Sequence, residues 1–502
     1  MAALSRHPVA PPPGPPERAT TRHLLLRAYC IFLLFLGLAT TFWFNLLGAV
    51  GLAILLGVTV IVTLIIWGVG RPQVDWRRLP WFAIAYMVWA AASIIWSSWR
   101  DATALTWALM AITTLQGLFV AASLTWRGLV RAIASALKWV MGLSIVFELW
   151  VSLVVGGPIL PNFLLWPGPL ETELYWSRNN LFDGGRIQGI VGNAHLLAIA
   201  ALVAIIVFAV RIASGAPRRG WLYAWIALSA FLLWRANSAT VLLTGVAVLV
   251  VLTTALLMRR TTRPGERTRY YLAYAGVAVV GAATLWFLRE PLLGVLGKTG
   301  DFTGRTEIWN AVLARAAEHP VVGSGFSTPW LPWVPEFDHW IVVNGLTVFH
   351  AHNMWLDVLM QLGIIGVILM ALVMFSVTWR SWFFAVDRPR FDLRADRPYT
   401  AITLLPTLLV TVLLVQGLAE SRPLMEWGWM FIVMLGFKLK QSPFVDIGPR
   451  EALASHDSRA ERLRDERRVV ARRAAARAAR DQAAHRDAAR ENAATRPTTA
   501  GA

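Results

Sequence analysis

Cysteine is almost missing from this sequence: Cys30 is the only one in 502 residues, so intramolecular disulfides are excluded whatever the compartment. Charge is scarce too, at 15% of residues against 57% hydrophobic ones. A soluble protein of this length needs far more polar surface to cover its core, which argues against a soluble globular enzyme. What the chain has instead is apolar runs of about 20 residues, the length at which an α-helix crosses roughly 30 Å of hydrocarbon. The expected fold class is all-α, a polytopic membrane protein.

The formal net charge of +18 is informative by its position rather than its size. Much of the excess follows Lys438, and most of the rest sits in short loops between apolar runs. That distribution follows the positive-inside rule and not a nucleic-acid-binding face. Residues 1–23, rich in Pro and carrying Arg18 and Arg22, precede an apolar stretch too long for a signal-peptide core and read as a cytoplasmic arm. Residues 441–502, rich in Ala, Arg and acids, read as a cytoplasmic tail, either a solvated helix or a disordered segment lying on anionic lipid, without a catalytic role.

Between them, residues 24–440 are expected to form twelve spans. Residues 24–70 are too long for one span and carry a polar break at 40–45, so two helices and a tight turn are expected there. Spans follow at about 80–96, 102–124, one ending near 155, 193–210, 221–234, 240–257, 270–288, 354–377, and two flanking a turn at 420–426. Arg127, Arg131 and Lys138 mark a return to the cytoplasm. Both termini then lie inside, and the outer segments, with long loops at 156–192 and 289–352, hold nine cations against twelve acids, a net of −3. This places the protein in the cytoplasmic (inner) membrane with the long loops outside.

Both long loops carry Arg beside Gly. Arg186 lies in Gly185-Arg186-Ile187-Gln188-Gly189, just ahead of Gly192-Asn193-Ala194-His195. Arg305 lies in Gly304-Arg305-Thr306-Glu307-Ile308-Trp309, at the start of an interfacial helix whose apolar face is Ile308, Val312, Ala316 and Leu313. Guanidinium forks and a helix N-terminus suit a pyrophosphate at a membrane surface. The competing reading has these Arg side chains reaching lipid headgroups or pairing with acids such as Glu307.

His350-Ala351-His352-Asn353 stands at the mouth of the tenth span, where a His with an unperturbed pKa of about 6.5 can take a proton from a hydroxyl arriving from water. Asp357 follows inside the span, where a carboxylate costs about 2.5 to 3.5 kcal/mol and calls for a partner. It either orients a base, binds a cation such as Arg186 or Arg305, or stays wet at the interface. Glu148 is the exception among otherwise apolar spans.

His352-Asn353, nine residues, then Gly363-Ile364-Ile365-Gly366 resembles the O-antigen ligase signature. The stretch Gly304-Arg305-Thr306 with Trp309, His319-Pro320 and Gly323-Ser324-Gly325-Phe326 looks like the segment preceding it in the O-antigen ligase and polymerase family, and residues 186–193 resemble that family's earlier outer-loop motif. The resemblance implies a metal-independent GT-C-type glycosyltransferase that takes a glycan from polyprenyl (undecaprenyl) pyrophosphate and joins it to an acceptor hydroxyl. Carried over, Arg186 and Arg305 bind the pyrophosphate, His352 serves as general base or positions the acceptor, and Asn353 supports it. Gly304, Thr306, Trp309, Asp357 and His195 line the substrate site.

His195 stands where the family motif leads one to expect a second Asn, and His350 competes with His352 for the base role, with the signature favouring His352. The turn at 40–45 holds no carboxylate, in keeping with metal independence, and the Glu336 and Asp338 pair reads as solvated. No cofactor is expected. The partners are the lipid-linked glycan donor, a glycan or lipid acceptor, and membrane lipid, with no nucleic acid. A polymerase of the same superfamily is the nearest alternative. A transporter of lipid-linked sugars is more distant, because no internal repeat is visible and the ionisable groups gather on one face.

Overall fold

A computed structural model describes residues 21–70, 72, 74–162, 174–261, 265–287, 305–343, 346–387 and 399–445. Residues Thr21–Val445 form one compact unit. The arm expected at 1–23 lies almost wholly, and the tail at 441–502 largely, outside the described residues, as does Gly304.

Thirteen helices account for most of that unit among the described residues. They are α1 (Thr21–Leu38), α2 (Thr40–Gly70), α3 (Trp81–Ala92), α4 (Arg100–Ser123), α5 (Trp126–Trp150), α6 (Ala194–Ala213) and α7 (Arg219–Ala236), then α8 (Ala239–Arg260), α9 (Glu266–Phe287), α10 (Arg305–Glu318), α11 (Met354–Val386), α12 (Leu404–Ala419) and α13 (Glu426–Gln441). A helix thus occupies each expected span position, and α10 is the expected extra helix of the long loop. Among the described residues, seven helical segments are long and apolar enough to cross a membrane.

Two boundaries differ from expectation. The polar stretch 40–45 is not the turn: it is the first turns of α2, the chain breaks at Ala39, and α2 kinks at Gly48 (φ 69°). The Thr hydroxyls are satisfied within the fold, Thr40 donating to Leu36 O and Thr41 to Val191 O, so they need no solvent. Helix α5 begins already at Trp126, capped by Thr125, so Arg127, Arg131 and Lys138 lie on the helix rather than in a loop before it.

Packing divides into two cores. The large one lies between the spans, where α6, α12 and α13 are buried along most of their length. There α6 packs on α7, α4 on α13, and α12 on both α8 and α11. The smaller core belongs to the long loop. Ile308, Val312 and Ala316 of α10 are buried with Trp99, Trp330, Phe337 and Met360, so the apolar face of α10 seals a protein core rather than lying in lipid. Leu313 is off that face and 44% exposed. Arg315, from the same helix, lies 3.7 Å over the Trp340 ring. A short ribbon, β1 (Val342–Val343) with β2 (Leu346–Thr347), closes the loop before α11.

Candidate active site

Asn353 is the N-cap of α11, its side chain accepting from Trp355 N at 2.9 Å and Leu356 N at 3.3 Å. Asn is favoured there because its oxygen satisfies amide groups that the first helical turn leaves without a partner. Its Nδ2 donates to Leu418 O at 3.3 Å, tying α11 to the end of α12. The chain just before this cap is held on both sides. Ala351 N donates to the Asp357 carboxylate at 3.1 Å, and Trp309 Nε1 of α10 donates to Ala351 O at 3.0 Å. His352 is pressed between these anchors into the left-handed region, at φ 49°, a backbone state that a non-glycine residue keeps only when its surroundings impose it.

The result brings together residues far apart in sequence. His352 Nδ1 lies 3.0 Å from Glu420 Oε2, and Arg305 Nη2 lies 3.2 Å from Glu420 Oε1. One carboxylate at the end of α12, 8% exposed, therefore holds the His and the Arg side by side. Burial by itself would raise the Glu420 carboxyl, but the hydrogen bond and charge of His352 outweigh it and hold the group below the ordinary carboxylate range. With Nδ1–H donating to that carboxylate, His352 presents Nε2 as its proton acceptor. His350 sits against it, ring centroids 4.1 Å apart, and its Nδ1 accepts from His352 N at 3.2 Å. Desolvation, followed by the charge of His352, pushes His350 well below its ordinary value.

Asp357 pairs with neither Arg186 nor Arg305 among the described residues, and it is not wet: it is fully buried. Its carboxylate receives Ser421 Oγ and Ala351 N on one oxygen and Gln361 Nε2, at 3.3 Å, on the other. Ser421 follows Glu420 and Ala351 precedes His352, so Asp357 pins together the two backbones that carry the pair.

His195 is placed beside this site, but its ring is already engaged. Nε2 lies 2.8 Å from Gln416 Oε1, and Nδ1 lies 3.0 Å from Ser238 Oγ. Gln416 donates in turn to Thr244 at 3.0 Å. The network is complete when Ser238 donates to Nδ1 and Nε2–H donates to Gln416, which leaves His195 no free lone pair. Gln416 stands one turn before Glu420, whose N–H bonds Gln416 O at 2.7 Å.

Arg186 lies apart from the Arg305 and His352 pair in its contacts. Its Nε donates to Ala236 O at 2.9 Å, at the end of α7, two residues from the Ser238 that meets His195. Partial burial, then the neighbouring Arg178, lower the Arg186 guanidinium below its ordinary value. Thr306 is exposed on the first turn of α10. In the sequence Glu420 stands out only as one of the outer acids, and Gln416 and Ser421 do not stand out at all. Their signal, polar residues at the mouth of a span, carries no indication of a partner 68 residues away.

Glu336 and Asp338 do not converge: Asp338 pairs with His339 at 2.6 Å, and at Glu336 the backbone carbonyl accepts from Arg315. Among the described residues one group has metal-ligand character, His350, His352 and Glu420, with donor atoms all within 4.8 Å of one another. Arg305 already occupies that carboxylate, which makes the surroundings fit an anion better than a second cation.

Residues 200–371 match the family model described as O-Antigen ligase. Over 155 residues the chain is 32% identical to the exopolysaccharide production protein ExoQ of Rhizobium meliloti (strain 1021), a stretch covering 29% of this chain and 35% of that protein. The chain thus matches about a third of the length of this curated relative. The segment matched by the family model contains Arg305, His352 and Gly363, whereas Arg186, His195 and Glu420 lie outside it.

Proposed function

We infer, from membership in the O-antigen ligase and polymerase family that the two matches support, that this integral membrane protein transfers a glycan from polyprenyl pyrophosphate to an acceptor hydroxyl outside the cytoplasmic membrane. The observation that carries the reading is the single Glu420 carboxylate holding Arg305 and His352 together. An Arg at the start of α10 meets the pyrophosphate with its remaining N–H groups and with the positive end of the helix. As the acceptor oxygen attacks the anomeric carbon, its proton passes to His352 Nε2 and Glu420 stabilises the imidazolium that forms. The bond from the anomeric carbon to the phosphate oxygen breaks, and the electron pair leaves with the pyrophosphate, whose charge Arg305 and Arg186 offset. No step requires a metal ion, and both termini lie in the cytoplasm.

The experiment is to delete the gene and complement it with wild type, His352→Ala or Arg305→Ala, then size both the lipid-linked and the surface glycans. Long lipid-linked polymer with loss of surface product, rescued by wild type and by neither variant at normal protein level, is the expected ligase result. In isolated membranes, EDTA is expected to leave transfer unchanged. Normal transfer by either well-expressed variant removes that residue from the mechanism. The relative's tie to exopolysaccharide production favours a polymerase as the second reading, which predicts accumulation of single lipid-linked repeat units instead.

A further inference from the structure

Glu148 lies in the last turn of α5, fully buried, where a carboxylate has no water to bind. Its neighbours are donors from the first long outer loop. Glu148 Oε1 accepts from Gln188 N at 3.0 Å and Gly189 N at 2.6 Å, and Oε2 accepts from Ser177 Oγ at 3.0 Å. One turn earlier on the same helix, Ser144 Oγ accepts from Ile190 N at 3.3 Å. Three successive backbone N–H groups thus end on two side chains of α5, an anion nest filled by the protein's own carboxylate.

The local sequence is built for this contact. Gly189 has φ 58°, and a Cβ there would come 2.6 Å from Ser144 Oγ, so only glycine lets the loop approach α5 so closely. Glu148 also joins the two arms of the loop. Ser177 belongs to the incoming arm, Gln188 and Gly189 to the outgoing one, and Gln188 Oε1 accepts from Arg178 N at 3.2 Å. Arg186 stands two residues before the anchored Gln188.

We propose that Glu148 is the positioning residue for Arg186, an acceptor-only anchor that fixes the outer loop on α5 and so sets where that guanidinium meets the donor pyrophosphate. The role of Arg186 rests on the reading above; the anchor itself does not. Hydrogen-bond acceptance rather than charge is what the anchor uses, and this separates it from a proton-carrying or ion-binding carboxylate. In Glu148→Gln the amide oxygen still accepts both backbone N–H groups and the amide nitrogen donates to Ser177, whose hydroxyl turns to accept. In Glu148→Met the volume is kept and every acceptor is lost, leaving the N–H groups buried without partners.

The test uses the full chain carrying Asp183→Cys, an exposed loop position, with the buried Cys30 left in place. Alkylation of the introduced thiol reads the loop, and transfer of lipid-linked glycan extracted from deletion cells reads the site. Glu148→Gln is expected to alkylate at the parent rate and to transfer within about threefold of it. Glu148→Met is expected to alkylate several-fold faster and to lose at least about tenfold in transfer, mostly as a raised KM for the donor, the scale expected when a binding group is misplaced. Ser144→Ala, a milder change should Glu148→Met fail to fold, is expected to raise alkylation by a smaller factor. Unchanged alkylation in both Glu148→Met and Ser144→Ala overturns the anchor, and so does a Glu148→Gln variant as impaired as Glu148→Met. If the parent itself transfers no glycan, the functional reading fails while the alkylation rates still decide the anchor.

Discussion

At the scale of single residues, Glu420 serves two partners with its two oxygens, His352 on one and Arg305 on the other. The carboxylate orients the imidazole by accepting a hydrogen bond from its Nδ1–H, and it holds the guanidinium on its other oxygen. On the proposed mechanism, Glu420→Gln keeps the shape but removes the charge that stabilises the imidazolium and pairs Arg305, so transfer is expected to fall by about 10²-fold, within the range of general-base contributions, together with a rise in donor KM. Initial-rate assays in proteoliposomes across donor concentrations check this, and a variant within about twofold of wild type would show that His352 needs no such partner. His195 shows another use of the same residue type: both its ring nitrogens are engaged by Ser238 and Gln416, and it braces Gln416 one turn before Glu420.

Among the elements, α11 explains why its glycines are there. The helix is interrupted at Gly363, where φ is 63°. Into that interruption passes the segment from His319 to Gly325, with Ile364 N donating to Pro320 O at 2.9 Å and Ser324 N to Met360 O at 3.0 Å. A Cβ on Gly363 would collide with the Val321 carbonyl, and one on Gly323 with the backbone of Gln361. The Gly363-Ile364-Ile365-Gly366 and Gly323-Ser324-Gly325-Phe326 motifs are thus two sides of one backbone crossing, which carries α10 to its place beside His352. Gly363→Ala combines this clash with left-handed strain of about 1–3 kcal/mol. It is expected to reduce folded protein sharply, as read by size-exclusion chromatography of fluorescent fusions, whereas Ile364→Ala, on a 46% exposed side chain, is tolerated.

For the whole molecule, pH and topology give two further expectations. His350 is held below its ordinary 6.5, so below about pH 6.5 the unfolded chain takes up a proton that the folded one refuses, and stability falls as pH drops. Glu420, held below its ordinary range, contributes stability that is present above about pH 4.3 and lost as pH falls toward its folded value. The two act in the same direction in adjoining windows: Tm is expected to rise from about pH 5 to about pH 7 through His350 and to fall further below about pH 4.5 through Glu420, and His350→Gln is expected to flatten the rise above about pH 5 in scanning fluorimetry. The charge asymmetry predicts that a cysteine substituted for Trp333 or Asp183 reacts with an impermeant maleimide in intact cells, while one substituted for Arg218 reacts only after permeabilisation. The reverse pattern would invert the orientation.

Much of this protein was legible in the chain alone, because span length, apolar runs and the placement of Arg are local properties set by the thickness and polarity of a bilayer. So was Arg305 at the head of a helix; the cap that Asn353 forms on α11 was not read from the sequence, although capping depends on residues adjacent in sequence. The tertiary structure decided what depends on contact between distant segments. It gave His352 and Arg305 a shared acid at the end of α12, made Asp357, open in the sequence between orienting a base, binding a cation and staying wet, a clasp between two backbones, and gave Glu148 a loop to hold. It also moved the first helix break from the polar stretch 40–45 to Ala39. A buried polar group must find a partner, but which of several loops supplies that partner is settled only when the helices pack.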